Sequence, residues 1–173
     1  FEIYSDFMAR NYFVAFFILF YFKIEKFYNP VGQILMPDIS VLLPLYKPVD
    51  VGPTIQSILN QSHKNFELLI CDDAPNEKDY SLKFKDKRIK IYKNEKNIGL
   101  GGTLNRLLTL SNHESKYFST IEQDDVYKPD FLSECIAFLD NNKDYGLVSG
   151  ISEFWDGDKV TYRFPGMIFQ GYD

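Results

Sequence analysis

Cysteine and histidine are both scarce in this chain, with two of each in 173 residues. Cys71 and Cys135 lie far apart, each within an apolar stretch, which excludes a disulfide framework. Two cysteines and two histidines also cannot supply a zinc site of the usual ligand spacing. The pattern therefore favours two reduced, buried thiols in a cytosolic protein over a disulfide pair or a reactive thiol.

Positive charge is in deficit, because 19 lysines and arginines face 24 aspartates and glutamates, for a formal net charge of -5. A protein that binds nucleic acid by neutralising phosphates needs the opposite balance, so nucleic acid is excluded as the default partner. The 45% apolar and 25% charged residues are typical of a globular chain rather than a disordered one. The length fits one domain.

Long hydrophobic runs are missing as well. Residues 12–22 form an uncharged run of eleven residues, which at 1.5 Å per residue covers only about half of a roughly 30 Å hydrocarbon core. No small-residue cleavage site of a signal peptide follows, and the sequence begins at Phe1 rather than methionine, so we expect the natural chain to start further upstream.

Aromatic residues are abundant and uneven, since 12 of the 29 lie in the first 28 positions. Turn-forming residues at positions 29–32 predict a boundary between an aromatic-rich N-terminal segment, residues 1–32, and a body, residues 33–173. Two interpretations of the segment stay open. It is either an element packed on the body or a partner chain, or a membrane-interfacial segment whose aromatic bulk is flanked by Arg10, Lys23 and Lys26.

The body alternates short apolar runs with helix-period stripes. Val51, Ile55, Ile58 and Leu59 fall on one helical face, and Leu100, Leu104, Leu107 and Leu108 repeat that spacing. The strands are predicted at residues 39–43, 66–71, 88–92, 117–121 and 145–149, and a further helix begins at Pro129. This alternation predicts an α/β fold, a mainly parallel sheet flanked by helices. Asp156-Gly157 between two β-rich runs adds a C-terminal hairpin.

Acidic residues follow two of the predicted strands, at the sheet edge where parallel α/β folds bind ligands. They are Asp72, Asp73, Glu122, Asp124 and Asp125. Up to five carboxylates on one rim repel one another unless a cation shares the site, and oxygen ligands suit Mg²⁺ or Mn²⁺ completed by substrate phosphates. Simple solvation, with turn and helix-cap chemistry, is the alternative for each pair.

The glycine-rich segment Gly99–Gly102 lacks the third glycine of a dinucleotide fingerprint and follows the third predicted strand instead of the first. The sequence also lacks a Walker motif. A Rossmann dehydrogenase and a P-loop kinase are therefore both disfavoured. The remaining interpretation of this segment is a flexible turn that leads into a helix, where backbone amides approach a ligand closely.

Five sequence blocks, in order, resemble the family 2 glycosyltransferases with the GT-A fold. They are residues 39–46, 57–62, 66–73, 97–105 and 122–129, and the resemblance extends over residues 39 to about 155. Together with residues 150–154, they are most similar to the bacterial enzymes of exopolysaccharide and lipopolysaccharide assembly. The resemblance implies transfer of a sugar from a nucleotide-sugar donor, expected to be a UDP-sugar, to a saccharide or lipid-linked acceptor. It places this activity in the cytoplasm, at the inner face of the membrane.

The resemblance also implies roles for single residues. Tyr46 and Asp73 would hold the nucleotide base, and Pro44 would shape that loop. Glu122-Gln123-Asp124 matches the D-x-D element, with Asp124 as the Mn²⁺ or Mg²⁺ ligand and Glu122 on ribose or a metal-bound water. Asp125 would support the turn or the sugar, and Gly101 would approach the nucleotide-sugar.

Two departures from the family pattern are visible. Glu122 is one methylene longer than the usual aspartate, and Leu104 stands where many members carry arginine. The second change removes a diphosphate contact, for which Lys93, Lys96 or Arg106 are candidate substitutes.

The implied mechanism is direct displacement at the anomeric carbon with metal stabilisation of the leaving diphosphate. No acidic residue among the 48 that follow Asp125 lies in the family's base motif. We therefore expect the acceptor half, with the catalytic base, to be missing from this chain. A nucleotidyltransferase expects a glycine-rich basic loop after the first strand, which residues 44–50 do not form. A non-catalytic nucleotide-binding or membrane- or partner-docking module remains the alternative.

Overall fold

A computed structural model describes residues 18–21, 36–46, 50–74, 84–156, 159–164 and 168–170. The strands are β1 Ile18–Tyr21, β2 Ile39–Leu45, β3 Phe66–Asp72, β4 Ile89–Lys93, β5 Tyr117–Thr120, β6 Tyr145–Val148, β7 Ser152–Asp156, β8 Lys159–Phe164 and β9 Ile168–Gln170. The helices are α1 Gly52–Leu59, α2 Gly99–Leu110 and α3 Phe131–Asn141. Seven strands form one sheet in the order β4-β3-β2-β5-β1-β6-β9, and β7 pairs with β8.

The half of the sheet that carries the site is parallel. β2 pairs with β3 and β5, and β3 pairs with β4, all in parallel register. α1 connects β2 to β3 and α2 connects β4 to β5, which are the crossovers that parallel neighbours require. Every residue of β2 and β3 is buried, as expected for strands covered on both faces. The predicted α/β fold is confirmed.

Side-chain alternation along the strands divides the core into two layers. Ile39, Val41 and Leu43 of β2 pack with α1 and α3 on one face of the sheet. Leu42 faces the other way and packs with Leu69, Cys71 and Leu107, the last of which belongs to α2. Because the sheet is covered on both faces, the carboxyl ends of its parallel strands are held in place by the core.

The other half of the sheet is antiparallel. β1 lies between β5 and β6 and is antiparallel to both, and β9 is antiparallel to β6. Four residues of the aromatic-rich N-terminal segment thus belong to the main sheet. The rest of that segment and its predicted boundary at residues 29–32 lie outside the described residues. Within the described ranges, no helix is long and apolar enough to cross a membrane.

The predicted hairpin is present as β7 and β8, which form a two-stranded sheet of their own. Glu153 joins it to the rest of the domain, because this carboxylate accepts from Arg163 within the hairpin and lies 2.9 Å from Lys128 Nζ. Trp155 is 59% exposed.

Both cysteines are free and buried. Burial raises the pKa of the Cys71 thiol and raises that of Cys135 to about 12. Thiols with raised pKa values are poor nucleophiles at neutral pH. The prediction of two reduced, buried cysteines is confirmed.

Candidate functional site

A cleft of about 420 Å³ lies at the carboxyl ends of the parallel strands. It is built from the segments that follow β2, β3 and β5 and from the start of α2. Its lining residues are Pro44, Leu45, Tyr46, Asp73, Asn97, Gly99, Leu100, Thr103, Glu122 and Gln123. This is the sheet edge at which parallel α/β folds bind ligands.

Tyr46 forms one wall of the cleft, directly after β2. Its side chain is half-buried, at 48% exposed for the residue as a whole. Its backbone N–H donates to Gln123 Oε1 over 2.8 Å, and its carbonyl accepts from Gln123 Nε2 over 2.8 Å. The side-chain amide of Gln123 therefore holds the backbone of Tyr46 at two points.

Asp73 forms the floor, directly after β3, and is 3% exposed. Its Oδ1 accepts from Asn94 Nδ2 over 2.7 Å and from the Ile98 N–H over 2.9 Å, while Oδ2 accepts from the Gly99 N–H over 2.8 Å. A carboxylate offers about four acceptor positions. It thus caps the N-terminus of α2 and retains acceptor capacity at the cleft.

Gly99 is the residue that lets α2 begin there. Its φ is +75°, in the left-handed region that favours glycine. A Cβ built at Gly99 meets nothing within 4 Å, so backbone conformation rather than space requires glycine. The turn aims its N–H at Asp73.

Asn94 orients Asp73 from behind. Its Nδ2 also donates to Thr103 Oγ1 over 3.0 Å, and its Oδ1 accepts from Arg106, which donates to the Lys93 carbonyl as well. Lys93 Nζ lies 3.6 Å from Asp72 Oδ2. Arg106 and Lys93, two candidate diphosphate contacts, are therefore engaged beside the cleft and do not line it.

The acidic loop after β5 is held by the polar side of α1. Thr54 Oγ1 donates to the Gln123 carbonyl over 2.9 Å, and the Tyr127 N–H donates to Ser57 Oγ over 3.0 Å. Gln61 Nε2 donates to the Lys128 carbonyl over 2.7 Å. Thr54 and Ser57 of α1, with Gln61 two residues after it, thus hold the acidic loop, a role that the spacing of apolar residues did not predict.

Three acidic side chains of this loop lie close enough to affect one another. Burial first, and the neighbouring Asp124 second, raise the pKa of Glu122, and burial with Asp124 and Glu122 raises the pKa of Asp125 to about 7. Asp124 is exposed. Raised carboxyl pKa values in a cluster show that the site disfavours its own negative charge, which a cation relieves.

The donor set fits one kind of metal site. In the part of the chain that the structure describes, no group of three or more His, Cys, Asp or Glu side chains is arranged to hold an ion. Exposed Asp124 beside Glu122 would supply one or two hard oxygen ligands. Such a set suits Mg²⁺ or Mn²⁺ that keeps waters and is completed by substrate phosphates, not an all-protein cage.

The structure brings together only part of the predicted site. Pro44, Tyr46, Asp73 and Glu122 line the cleft, whereas Gly101, Asp124 and Asp125 do not. Gly101 lies in the first turn of α2, roughly 200° around the helix from Gly99 at about 100° per residue. Asp124 and Asp125 follow the lining residue Gln123 along the loop.

The predicted rim of up to five carboxylates does not include Asp72. Asp72 is the last residue of β3, and consecutive strand residues point to opposite faces. Its Oδ1 accepts from the Ala74 N–H over 2.9 Å, and it pairs with Lys93, away from the side that Asp73 takes.

Six lining residues were not among the predicted site residues: Leu45, Asn97, Gly99, Leu100, Thr103 and Gln123. Leu100 was predicted to lie on the apolar face of its helix, yet it is 54% exposed and lines the cleft. The position of Leu100 in the sequence could have identified it as a cleft residue, because the first turn of a helix that begins at a sheet edge faces the ligand side.

The parallel sheet, the cleft across its carboxyl ends and the acidic loop define a Rossmann-like domain of the GT-A type. The model of the family "Glycosyl transferase family 2" matches residues 40–169. The chain belongs to glycosyl transferase family 2, which confirms the resemblance seen in the sequence blocks.

Known proteins with related sequences carry transferase names. An uncharacterized glycosyltransferase of Methanocaldococcus jannaschii is 32% identical over 125 residues, which is 68% of this chain and 42% of that protein. WfgD of Escherichia coli, named as a UDP-Glc:alpha-D-GlcNAc-diphosphoundecaprenol beta-1,3-glucosyltransferase, is 27% identical over 137 residues, 72% of this chain and 53% of WfgD. The chain thus spans about half the length of these relatives, or less.

Among solved structures, S. aureus TarS 1–349 in complex with UDP-GlcNAc aligns with a TM-score of 0.55 at 24% identity. The match covers 62% of this chain and 33% of the TarS chain. It supports the fold of the domain.

Proposed function

We propose that the protein transfers a sugar from a nucleotide-sugar donor, a UDP-sugar, to a saccharide or lipid-linked acceptor. One observation carries this function. In a family 2 chain, a single cleft presents an aromatic ring at Tyr46, a buried carboxylate at Asp73 and an acidic loop at Glu122. Aromatic face, hydrogen-bond acceptor and metal-binding oxygens are the three chemistries that a nucleoside diphosphate requires.

The nucleoside is assigned to the wall formed by Tyr46 and Asp73. The half-exposed ring of Tyr46 offers a stacking face for a planar base, and the remaining acceptor position of Asp73 takes an N–H of that base. Pro44, within β2 and two residues before Tyr46, lines the cleft beside them. At the start of α2, Gly99 and Leu100 line the cleft where Gly101 does not, so we assign the close backbone approach to these two residues.

The diphosphate is assigned to the acidic loop. Asp124 would hold Mn²⁺ or Mg²⁺, with Glu122 on ribose or on a water of the ion, and Asp125 supports the turn, because its N–H donates to the Glu122 carbonyl over 3.2 Å. When bound, the ion neutralises negative charge on the leaving diphosphate. The raised pKa values of Glu122 and Asp125 support this assignment.

The name of the relative WfgD supports both the UDP donor and a lipid-linked acceptor for this chain. With such an acceptor, we propose work in polysaccharide biosynthesis at the cytoplasmic face of the membrane, where residues of the aromatic-rich N-terminal segment outside β1 make a peripheral contact. We assign no catalytic base among the residues of this chain, and propose that an acceptor-side segment supplies it.

Calorimetric titration of UDP, with and without Mn²⁺, tests the function on the parent chain, Asp124→Asn and the control Asp130→Asn. Asp130 is also exposed and acidic, but lies outside the cleft. We expect Mn²⁺ to strengthen UDP binding to the parent chain and to Asp130→Asn. In Asp124→Asn, the factor by which Mn²⁺ strengthens UDP binding should be at least tenfold smaller. Equal UDP affinities with and without Mn²⁺ in the parent chain would instead favour a non-catalytic module.

A further inference from the structure

We infer, resting on the proposed function, that Gln123 is a positioning residue that fixes Tyr46 for the nucleotide base. The middle residue of the D-x-D element would then join the nucleoside wall of the cleft to the acidic loop. The two 2.8 Å hydrogen bonds between the Gln123 amide and the Tyr46 backbone carry this role.

The position of these bonds explains why they are needed. β2 and β5 pair in register only as far as Leu42 and Thr120, and the Ile121 N–H adds one more bond to the Leu42 carbonyl over 3.2 Å. β2 then continues to Leu45 and is followed by Tyr46, while the segment after β5 turns into the acidic loop. A side-chain amide has the same donor and acceptor as a peptide group, so Gln123 bonds to the backbone of Tyr46, beyond the point where the backbone pairing ends.

The amide is itself held in place. The Gln123 carbonyl accepts from Thr54 Oγ1 over 2.9 Å, and Thr54 is buried at 1% exposed. On the opposite side of β2, the Leu45 carbonyl accepts from the Asp73 N–H over 2.8 Å. Tyr46 therefore follows a strand end that is bonded to both neighbouring segments, and its ring enters the cleft from a fixed backbone.

Few side chains meet the requirement at position 123. Methionine matches the length of glutamine without a donor or a strong acceptor, and asparagine keeps the amide but is one methylene short. The net contribution of one such hydrogen bond is modest, because it replaces a bond to water. Loss of both bonds should therefore weaken binding through Tyr46 about tenfold, since tenfold corresponds to about 1.4 kcal/mol.

A double-mutant cycle tests whether Gln123 acts through Tyr46. UMP affinity is measured without metal, which removes the contribution of the acidic loop, for the parent chain, Gln123→Met, Tyr46→Ala and the double variant. We expect Gln123→Met to lose about tenfold, and to cause less than a twofold further loss in the Tyr46→Ala background. Thermal unfolding of each variant checks that the folded protein is being measured, and Gln123→Asn replaces Gln123→Met if the latter does not fold.

The outcomes are distinct. The positioning role is overturned if the loss of UMP affinity from Gln123→Met is as large in the Tyr46→Ala background as in the parent chain. It is also overturned if the parent chain binds UMP and Gln123→Met loses no affinity. Both results leave the proposed function standing. Absence of UMP and UDP binding by the parent chain overturns the proposed function and the positioning role together. A tenfold loss that disappears in the Tyr46→Ala background supports the role of Gln123.

Discussion

Replacing Asp73 with asparagine changes one atom of the cleft floor and should destabilise the whole domain. The carboxylate accepts three hydrogen bonds from Asn94 Nδ2, Ile98 N–H and Gly99 N–H. In Asp73→Asn, the remaining oxygen keeps the two partners of Oδ1, but the new NH₂ faces the Gly99 N–H. A donor then opposes a donor at the start of α2.

The magnitude follows from these contacts. A hydrogen bond to a charged group contributes roughly 1.5–3 kcal/mol, and a negative charge at a helix N-terminus contributes about 0.3–1 kcal/mol. Asp73 is almost fully buried, so water does not replace the lost bond. We expect the free energy of unfolding to fall by about 2–4 kcal/mol.

Urea unfolding followed by circular dichroism measures this loss, with Asp72→Asn as the matched control. Asparagine at position 72 keeps the acceptor for the Ala74 N–H and loses only the 3.6 Å pair with half-exposed Lys93, a change of about 1 kcal/mol or less. Two results would show that Asp73 does not cap α2. One is a free energy of unfolding for Asp73→Asn within 0.5 kcal/mol of that of the parent chain, and the other is an equal loss of this free energy in the two variants.

Two glycine substitutions in α2 should change the free energy of unfolding in opposite directions. Gly99→Ala should lower the free energy of unfolding by about 1 kcal/mol because its φ is +75°, whereas Gly101→Ala should raise it by about 0.5–1 kcal/mol, since nothing lies within 4 Å of either Cβ position; urea unfolding that gives the same sign for both refutes this. The bonds from Arg88 lower the pKa of Asp86 to about 2 from 3.8, so their stabilisation is present above pH 4 and is lost as pH falls toward 2. Asp86→Asn should therefore be about 1 kcal/mol less stable than the parent chain at pH 6. The difference should shrink as pH falls to about 2 and vanish below it, and a difference that does not change with pH contradicts this.

Much of the fold could be predicted because local patterns determine it. The apolar runs that become β2 and β3 are buried on both faces, and such strands need no partner information to be recognised. The stripe of Ile55 and Ile58 predicts the buried face of α1, where both are fully buried. Tyr46 and Asp73 were predicted through the resemblance of their sequence blocks to family 2 glycosyltransferases, and both lie just after strands of the parallel sheet and line the cleft.

The rest depended on contacts between distant segments. β1 pairs with residues about 100 positions away, and four apolar residues in an aromatic-rich run do not specify that partner. Gln123 bonds to Tyr46 across 77 positions, which no local periodicity encodes. Asp72 is different, because the alternation of strand side chains already places it opposite Asp73.

Determining the structure of the protein with UDP and Mn²⁺ bound tests the central claim most directly, because it shows where the nucleotide lies. We predict the uracil ring against Tyr46 and within hydrogen-bond distance of Asp73, with the ion at Asp124. UDP bound at another surface, or bound in the cleft with its diphosphate away from Glu122 and Asp124, would contradict the account.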